Sequence, residues 1–349
     1  MRAKKGIINI DKLRLSFIQP QELWDEMKKH PIDKTQDPKK QPKHNYVPFG
    51  DFTFDITDDG RGKDSEKEPI KIVADVIMCD NTKLGTFTFN NSAKYDGLCF
   101  FTFENKALYT TDTIIHGEKS NKMGYLQPIA DALGLTINSF TEIELSVDIN
   151  HNPIPIIRKL VKDHENFDMI VNRKAVTNEN RTIEDYGEWF NRSRKKLNRY
   201  PTIYVKQAKD DGQKLRIYNK SQEISDENHK NYISEWDDFG SSDIYRLEVN
   251  VKWENFKKWL VYLQTAEHLP SEWKRYFCQD PEDPTQSPTE PLTDHLERTL
   301  WLLQNHDYRI AMWYYCSEKM LYFVHRATNT PITLAEIGAQ GKTLLDGLK

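Results

Sequence analysis

Cysteine is scarce and scattered. The 349-residue chain has four (Cys79, Cys99, Cys278 and Cys316), far apart and with no Cys-x-x-Cys pair. That spacing argues against a zinc framework and points to reduced core thiols in a cytosolic protein. Long apolar runs are missing as well. No stretch reaches the about 18 apolar residues of a membrane-spanning helix, so none is expected. The N-terminal "MRAKKGIINIDKLRLSF" is basic but lacks the apolar core of a secretory signal, so no signal peptide is expected. No internal repeat is evident.

What is present is a hydrophilic chain with material for a core. Apolar residues make up 38% and charged residues 29%, and there are 16 Tyr, 16 Phe and 8 Trp. The length allows one large domain or two ordinary ones. The net charge of −4 hides an uneven distribution. Residues 151–220 hold 16 Lys and Arg against 9 Asp and Glu, whereas residues 221–300 hold 8 against 17. "NRSRKKLNRYP" (191–201) is the densest positive run. Such a run is either a solvated helix face or a surface for phosphates.

Periodicity gives the elements. Alternation predicts strands over 6–17, 50–56, 70–79, 83–90 and 98–104, the last four as an antiparallel meander. Helices are expected over 19–30, over 121–137 with Gly134 ending it, over 153–167, over 185–200 and over 254–264. Further strands are expected over 140–150, 201–207, 214–220 and 244–252. "CQDPEDPTQSPTEPL" (278–292) reads as an acidic, proline-rich linker, and 294–326 as a long, aromatic-rich helical region. The fold class is therefore α+β: a large, mostly antiparallel curved sheet with helices mainly on one face, plus a helical C-terminal region.

Three of these strands share one property. Side chains on a strand alternate between faces. In 140–150 the even positions include Glu142, Glu144, Ser146 and Asp148; in 214–220 they are Arg216, Tyr218 and Lys220; in 244–252 they include Arg246, Glu248 and Asn250. The odd positions are mainly apolar. If the strands share a sheet, Asp148, Glu248 and Glu144 join a tyrosine and several cations on one surface. Oxygen ligands suit Mg²⁺ or Mn²⁺. Such an ion polarises a phosphoryl oxygen, Arg and Lys neutralise developing charge, and a neighbouring cation makes a tyrosine a better nucleophile. The parts describe a metal-assisted transesterase acting on a phosphodiester. The bland alternative is an ordinary sheet whose polar face is decorated by Glu/Arg pairs.

"TIYVKQAKDDGQKLRIYNKSQE" (202–223), preceded by "LSVDIN" (145–150) and followed by "YRLEVNVK" (245–252), resembles the replication initiation factor family. That family includes rolling-circle plasmid initiators, some relaxases and some filamentous-phage initiators. The recurring pieces are a strand ending in an acid, a T-x-Y strand, an R-I-Y-N/D-K-x-x-E strand and an R-x-E strand, present here in order over roughly 140–252, under a third of the chain. The resemblance implies that Tyr218 attacks origin DNA, forming a 5′-phosphotyrosyl link and freeing a 3′-OH. It implies that Asp148 and Glu248 hold the metal, and that Arg216, Lys220 and Arg246 contact phosphates. Glu223 would bind the metal or position Lys220. Implied partners are origin DNA with an extruded single strand, a host helicase and polymerase, and a second copy of the chain; no membrane is involved.

On this reading the chain comprises an N-terminal β-rich part (1–110), a nicking core (111–277), the linker (278–292) and a helical C-terminal region (293–349). Arg192, Arg194, Lys195, Lys196 and Arg199 of the basic run join Arg246 as DNA contacts. The chain departs from the family where "VKQAKDDGQ" stands after "TIY", a place where related sequences often have Gly-Ser. Tyr204 is a rival nucleophile, but its strand lacks flanking cations on both sides. HUH nicking enzymes need a His-hydrophobe-His triplet, which is absent; His151 reads as a loop residue. "GAQGKT" (338–343) lacks the spacing of a phosphate-binding Walker loop. The same chemistry would serve a conjugative relaxase. A sequence-specific DNA-binding regulator without chemistry is the reading from another class.

Overall fold

A computed structural model describes residues 8–32, 45–61, 67–95, 97–109, 113–115, 118–120, 122–177, 202–206, 213–226, 243–265 and 296–340. The helix expected over 185–200, the basic run at 191–201 and the linker at 278–292 lie outside the described residues. The architecture is α+β, as the periodicity requires. Ten strands form one sheet, in the order β12-β13-β14-β9-β1-β6-β5-β4-β3-β2. These are β1 (Ile8–Ile18), β2 (Asn45–Phe49), β3 (Phe52–Asp58), β4 (Lys71–Met78), β5 (Lys83–Asn90), β6 (Leu98–Phe103), β9 (Thr136–Ile149), β12 (Ile203–Lys206), β13 (Lys214–Asn219) and β14 (Tyr245–Lys252). A short pair, β7 (Thr113–Ile115) and β8 (Glu118–Ser120), stands apart. A second sheet has the order β11-β10-β15-β16, from β10 (Phe167–Val171), β11 (Lys174–Ala175), β15 (Leu321–His325) and β16 (Thr330–Thr333). The helices are α1 (Gln21–Met27), α2 (Asn105–Tyr109), α3 (Leu126–Ala132), α4 (Ile154–Lys162), α5 (Lys220–Asp226), α6 (Trp253–Thr265), α7 (Leu296–Leu302), α8 (His306–Met320) and α9 (Leu334–Gln340). Among the described residues no helix is long and apolar enough to cross a membrane.

Two compact units interleave along the chain. One comprises Met1–Ile10, Glu144–Trp259 and His306–Lys349, the other Asp11–Ile143 and Leu260–Asn305. The second is built on the β2–β6 meander. Its alternation puts Phe54, Phe87, Phe89 and Phe101 on one fully buried face, with the Phe87 and Phe101 ring centroids 4.6 Å apart. Gly85 makes this possible: a Cβ there would stand 2.4 Å from the Phe101 ring and 2.5 Å from the Thr102 carbonyl oxygen. Gly134 (φ +66°) takes the left-handed conformation just after α3, which L side chains avoid. The helix expected over 121–137 is thus shorter. It begins with a 3₁₀ turn at Lys122–Tyr125, and strand β9 claims Thr136 and Ile137.

The first unit carries the strands singled out by sequence. Leu215, Ile217, Leu247, Val249 and Val251, the odd positions of β13 and β14, are fully buried. Each contributes roughly 1.5–3 kcal/mol by leaving water. Helix α8 belongs to this core, with Tyr308, Met312, Cys316 and Met320 buried. Gln213 Nε2 donates to the Cys316 carbonyl at 2.8 Å, and Trp259 Nε1 donates to the Tyr308 hydroxyl at 2.9 Å. The helical stretch expected over 294–326 ends at Met320, where β15 starts and pairs with β10. Cys99 and Cys316 are buried thiols, and burial pushes Cys316 up to about 12; Cys79 is exposed.

Candidate functional site

The three amphipathic strands are neighbours, in the order β13-β14-β9. β13 and β14 pair antiparallel, with Arg216 opposite Glu248, Tyr218 opposite Arg246 and Lys214 opposite Asn250. β12 adds Tyr204 opposite Arg216. Directly opposed residues share a face, so alternation brings the even-numbered polar side chains together.

Tyr218 sits among charges. Its hydroxyl donates to Glu248 Oε2 at 3.2 Å. Glu248 Oε1 accepts from Arg216, at 2.7 Å from Nε and more closely from Nη2. The Arg216 guanidinium lies 5.9 Å from the Tyr218 ring centroid and the Lys220 ammonium 5.6 Å. Glu144 accepts from Asn250 Nδ2 at 2.6 Å and has Arg216 Nη2 at 3.6 Å. Burial alone would lower the Arg216 guanidinium, but Glu248 and Glu144 outweigh it and hold it above its ordinary value.

Lys220 reaches this place by a route the alternation did not foresee. β13 ends at Asn219, and Lys220 opens α5. Asn219 caps the helix: its Oδ1 accepts from the Gln222 backbone N–H at 3.0 Å. The helical turn leaves Lys220 almost wholly buried and pairs its ammonium with Glu223.

Asp148 and Arg246 form a separate pair. Arg246 Nε and Nη2 each donate to one Asp148 oxygen, both at 2.7 Å, and Arg246 is fully buried. Both Asp148 oxygens face the guanidinium fork, so a metal there would have to displace Arg246. Glu144 and Glu248 have carboxylate oxygens within 4.8 Å of each other, a spacing that suits a hard divalent cation. Glu248 would have to exchange a bond to Arg216 or Tyr218 for Mg²⁺ or Mn²⁺, a smaller change than releasing both Asp148 oxygens from Arg246.

The polar face is not a solvated surface. Glu248, Arg246, Lys220 and Asn250 are at most 5% exposed, and Tyr218 is 9% exposed. Arg216 is the opening, with a side chain 41% exposed. The constellation holds three cations (Arg216, Lys220, Arg246) and four carboxylates (Glu144, Asp148, Glu223, Glu248). Burying charge costs several kcal/mol per ion unless partners compensate. A buried ionic set is therefore a costly structure, and charges clustered in this way mark a candidate site of function.

The other sequence candidates fall as follows. His151 Nε2 donates to the Ile337 carbonyl at 3.1 Å, the role of a loop residue. Gly338 lies within α9. Arg192, Arg194, Lys195, Lys196 and Arg199 lie outside the described residues. Sequence reasoning gave no role to Asn219, whose N-cap position was readable from Asn-x-x-Gln before α5. Comparison with protein-family models, curated proteins and solved structures found no match.

Proposed function

We propose that the chain is a metal-dependent DNA nicking and joining protein that starts rolling-circle replication, with Tyr218 as nucleophile. The observation that carries this reading is the Tyr218 hydroxyl bonded to buried Glu248 with Arg216 and Lys220 against its ring. Glu248 is placed to accept the phenolic proton as the Tyr218 oxygen forms its bond to phosphorus. The bond from phosphorus to the 3′ oxygen breaks, the leaving oxygen takes a proton, and the 5′ phosphate stays on Tyr218. Arg216, the exposed cation, meets the scissile phosphate, and Lys220 stands against the Tyr218 ring. Arg246, held by Asp148, fixes the strand position opposite Tyr218. Glu144 and Glu248 would hold Mg²⁺ or Mn²⁺, which supplies charge to polarise the phosphoryl group. The ordered resemblance over 140–252 supports replication initiation in particular, and with it a cytoplasmic location, an origin-DNA substrate and a homodimer.

The test is a covalent adduct. The protein is incubated with supercoiled DNA carrying its own element's origin and with Mg²⁺ or Mn²⁺, and run on a denaturing gel. Tyr218→Phe should abolish the adduct and retain DNA binding. An adduct that survives the substitution removes Tyr218 from the mechanism. The second reading, a DNA-binding regulator without chemistry, is favoured by the closed Asp148–Arg246 pair. It predicts origin binding with no adduct from the unaltered protein.

A further inference from the structure

A pocket of about 270 Å³ in the first unit is lined by Asn172, Arg173, Gln213, Asn255, Lys258, Tyr315 and Lys319. The lining contains three cations, a phenol and three amides, and no carboxylate. Among the described residues no acid pairs with Arg173, Lys258 or Lys319. Like charges disfavour one another in a partly desolvated site, and the strain registers on one of them. Burial first, then Arg173 and Lys258, pull the Lys319 ammonium from its ordinary 10.5 to about 8; the thiol of Cys316 opposes this. Glu254, the acid nearest in sequence to Lys258, is paired with Lys257 instead.

The backbone adds an independent sign. Asn172 and Arg173 form the two-residue turn between β10 and β11, where Val171 pairs with Lys174. Both turn residues have positive φ, 50° and 64°. Such a turn favours Asn then Gly, because only glycine takes the second position without strain. An arginine held in that disfavoured conformation delivers its guanidinium to the pocket lining. Gln213, buried, is fixed from the other side by its bond to the Cys316 carbonyl. Tyr315 is fixed by donating to the Lys258 carbonyl at 3.0 Å.

We infer that this pocket binds a phosphate group, held by the Arg173 fork, the Lys258 and Lys319 ammonium groups and the surrounding amide donors. An arginine fork and converging lysines without a counter-acid are the recognition chemistry of phosphate oxygens. The volume lies just below the range of small-ligand clefts. The phosphate comes either from a free phosphorylated small molecule or from a nucleic acid backbone. The second source rests on the proposed nicking activity. Gln213 reaches the α8 side of β13 through its bond to the Cys316 carbonyl, whereas Tyr218 projects from the opposite face, so a nucleic acid strand held here would reach Tyr218 only round the sheet edge.

Calorimetric titration of the full chain tests the site with two probes, inorganic phosphate and a single-stranded oligothymidylate. The double variant Lys258→Gln/Lys319→Gln removes two of the pocket's three cations, Lys319 together with its contact over the Tyr315 ring. Lys257→Gln, on the same helix but outside the pocket, is the control for bulk charge. The unaltered protein should bind phosphate, and the double variant should lose at least about tenfold, the worth of one charged hydrogen bond. The control should stay within about twofold of the unaltered protein. If the oligonucleotide is weakened in parallel and displaced by phosphate, the backbone is the source. If it is unaffected, the ligand is a free phosphorylated molecule. No phosphate binding, equal binding by the double variant, or an equal loss in the control overturns the site. Tyr218→Phe should bind phosphate unchanged, so failure of the nicking reading and failure of this pocket give different results.

Discussion

Two polar regions of the first unit lie on opposite sides of β13 and treat charge in opposite ways. Around Tyr218 the three cations each face a carboxylate: Arg216 with Glu248, Lys220 with Glu223, Arg246 with Asp148. In the pocket beside Gln213 three cations converge, and among the described residues none of them pairs with an acid. Pairing lets charge be buried, and it fixes geometry. Lack of pairing keeps charge near water and leaves binding capacity unspent. The first arrangement suits positioning a reacting group, and the second suits capturing an anion from solution.

The contrast breaks most severely at Asp148. Asp148→Ala leaves the Arg246 guanidinium fully buried with no counterion. The expected loss is about 3–5 kcal/mol in chemical denaturation. Replacing both members with apolar residues of similar volume, Asp148→Leu with Arg246→Met, should recover most of it. A loss under about 1 kcal/mol for Asp148→Ala would mean that the pair is not buried as described. Asn219→Ala acts on the same region more gently. It removes the cap of α5 and should cost about 1 kcal/mol. It should also loosen Lys220, so adduct formation should fall further than stability does. Equal, small effects on both would separate Lys220 from the chemistry.

How legible this was depended on which interactions set each element. β9, β13 and β14 alternate strictly, and one buried face enforces that period, so their residues and shared surface were readable. Strands β3–β6 of the meander were readable for the same reason, but β2, with Pro48 near its end, was not. The second sheet was not. Phe167–Val171 follows helix α4 after a short turn, and Leu321–His325 follows α8 with no intervening glycine or proline. Short apolar runs fit helix and strand equally, and here the decision is made by pairing of β10 with β15, more than 150 positions away in sequence. Lys220 was placed on the strand because alternation reaches it, although Asn219 and Gln222 carried the capping signal that ends the strand. Alternation also left open whether the polar face was wet. It named the charges but not the partner of each, because the register of β13 on β14 is a long-range property. The pocket was invisible for a related reason: its lining comes from β10–β11, β13, α6 and α8, which meet only in the fold.

The smallest effect belongs to the pocket and has a sign that the paired site cannot imitate. Lys319 has a folded-state value of about 8 against an ordinary 10.5. Between those values the unfolded chain binds the proton and the folded chain does not, so stability rises with pH across the window. Below about 8 the ammonium is charged in both states, and its burial, with the repulsion of Arg173 and Lys258, weighs fully on the fold. Lys319→Gln should therefore be slightly more stable than the unaltered protein at neutral pH, by a margin that solvent screening keeps small. That margin should shrink as pH climbs from 8 towards 10.5 in thermal melts at fixed ionic strength. Saturating inorganic phosphate should reverse the ranking at neutral pH, because a bound anion stabilises only the chain that holds it. A variant less stable than the unaltered protein in phosphate-free buffer would show that Lys319 is already compensated, and the two regions would then handle charge alike.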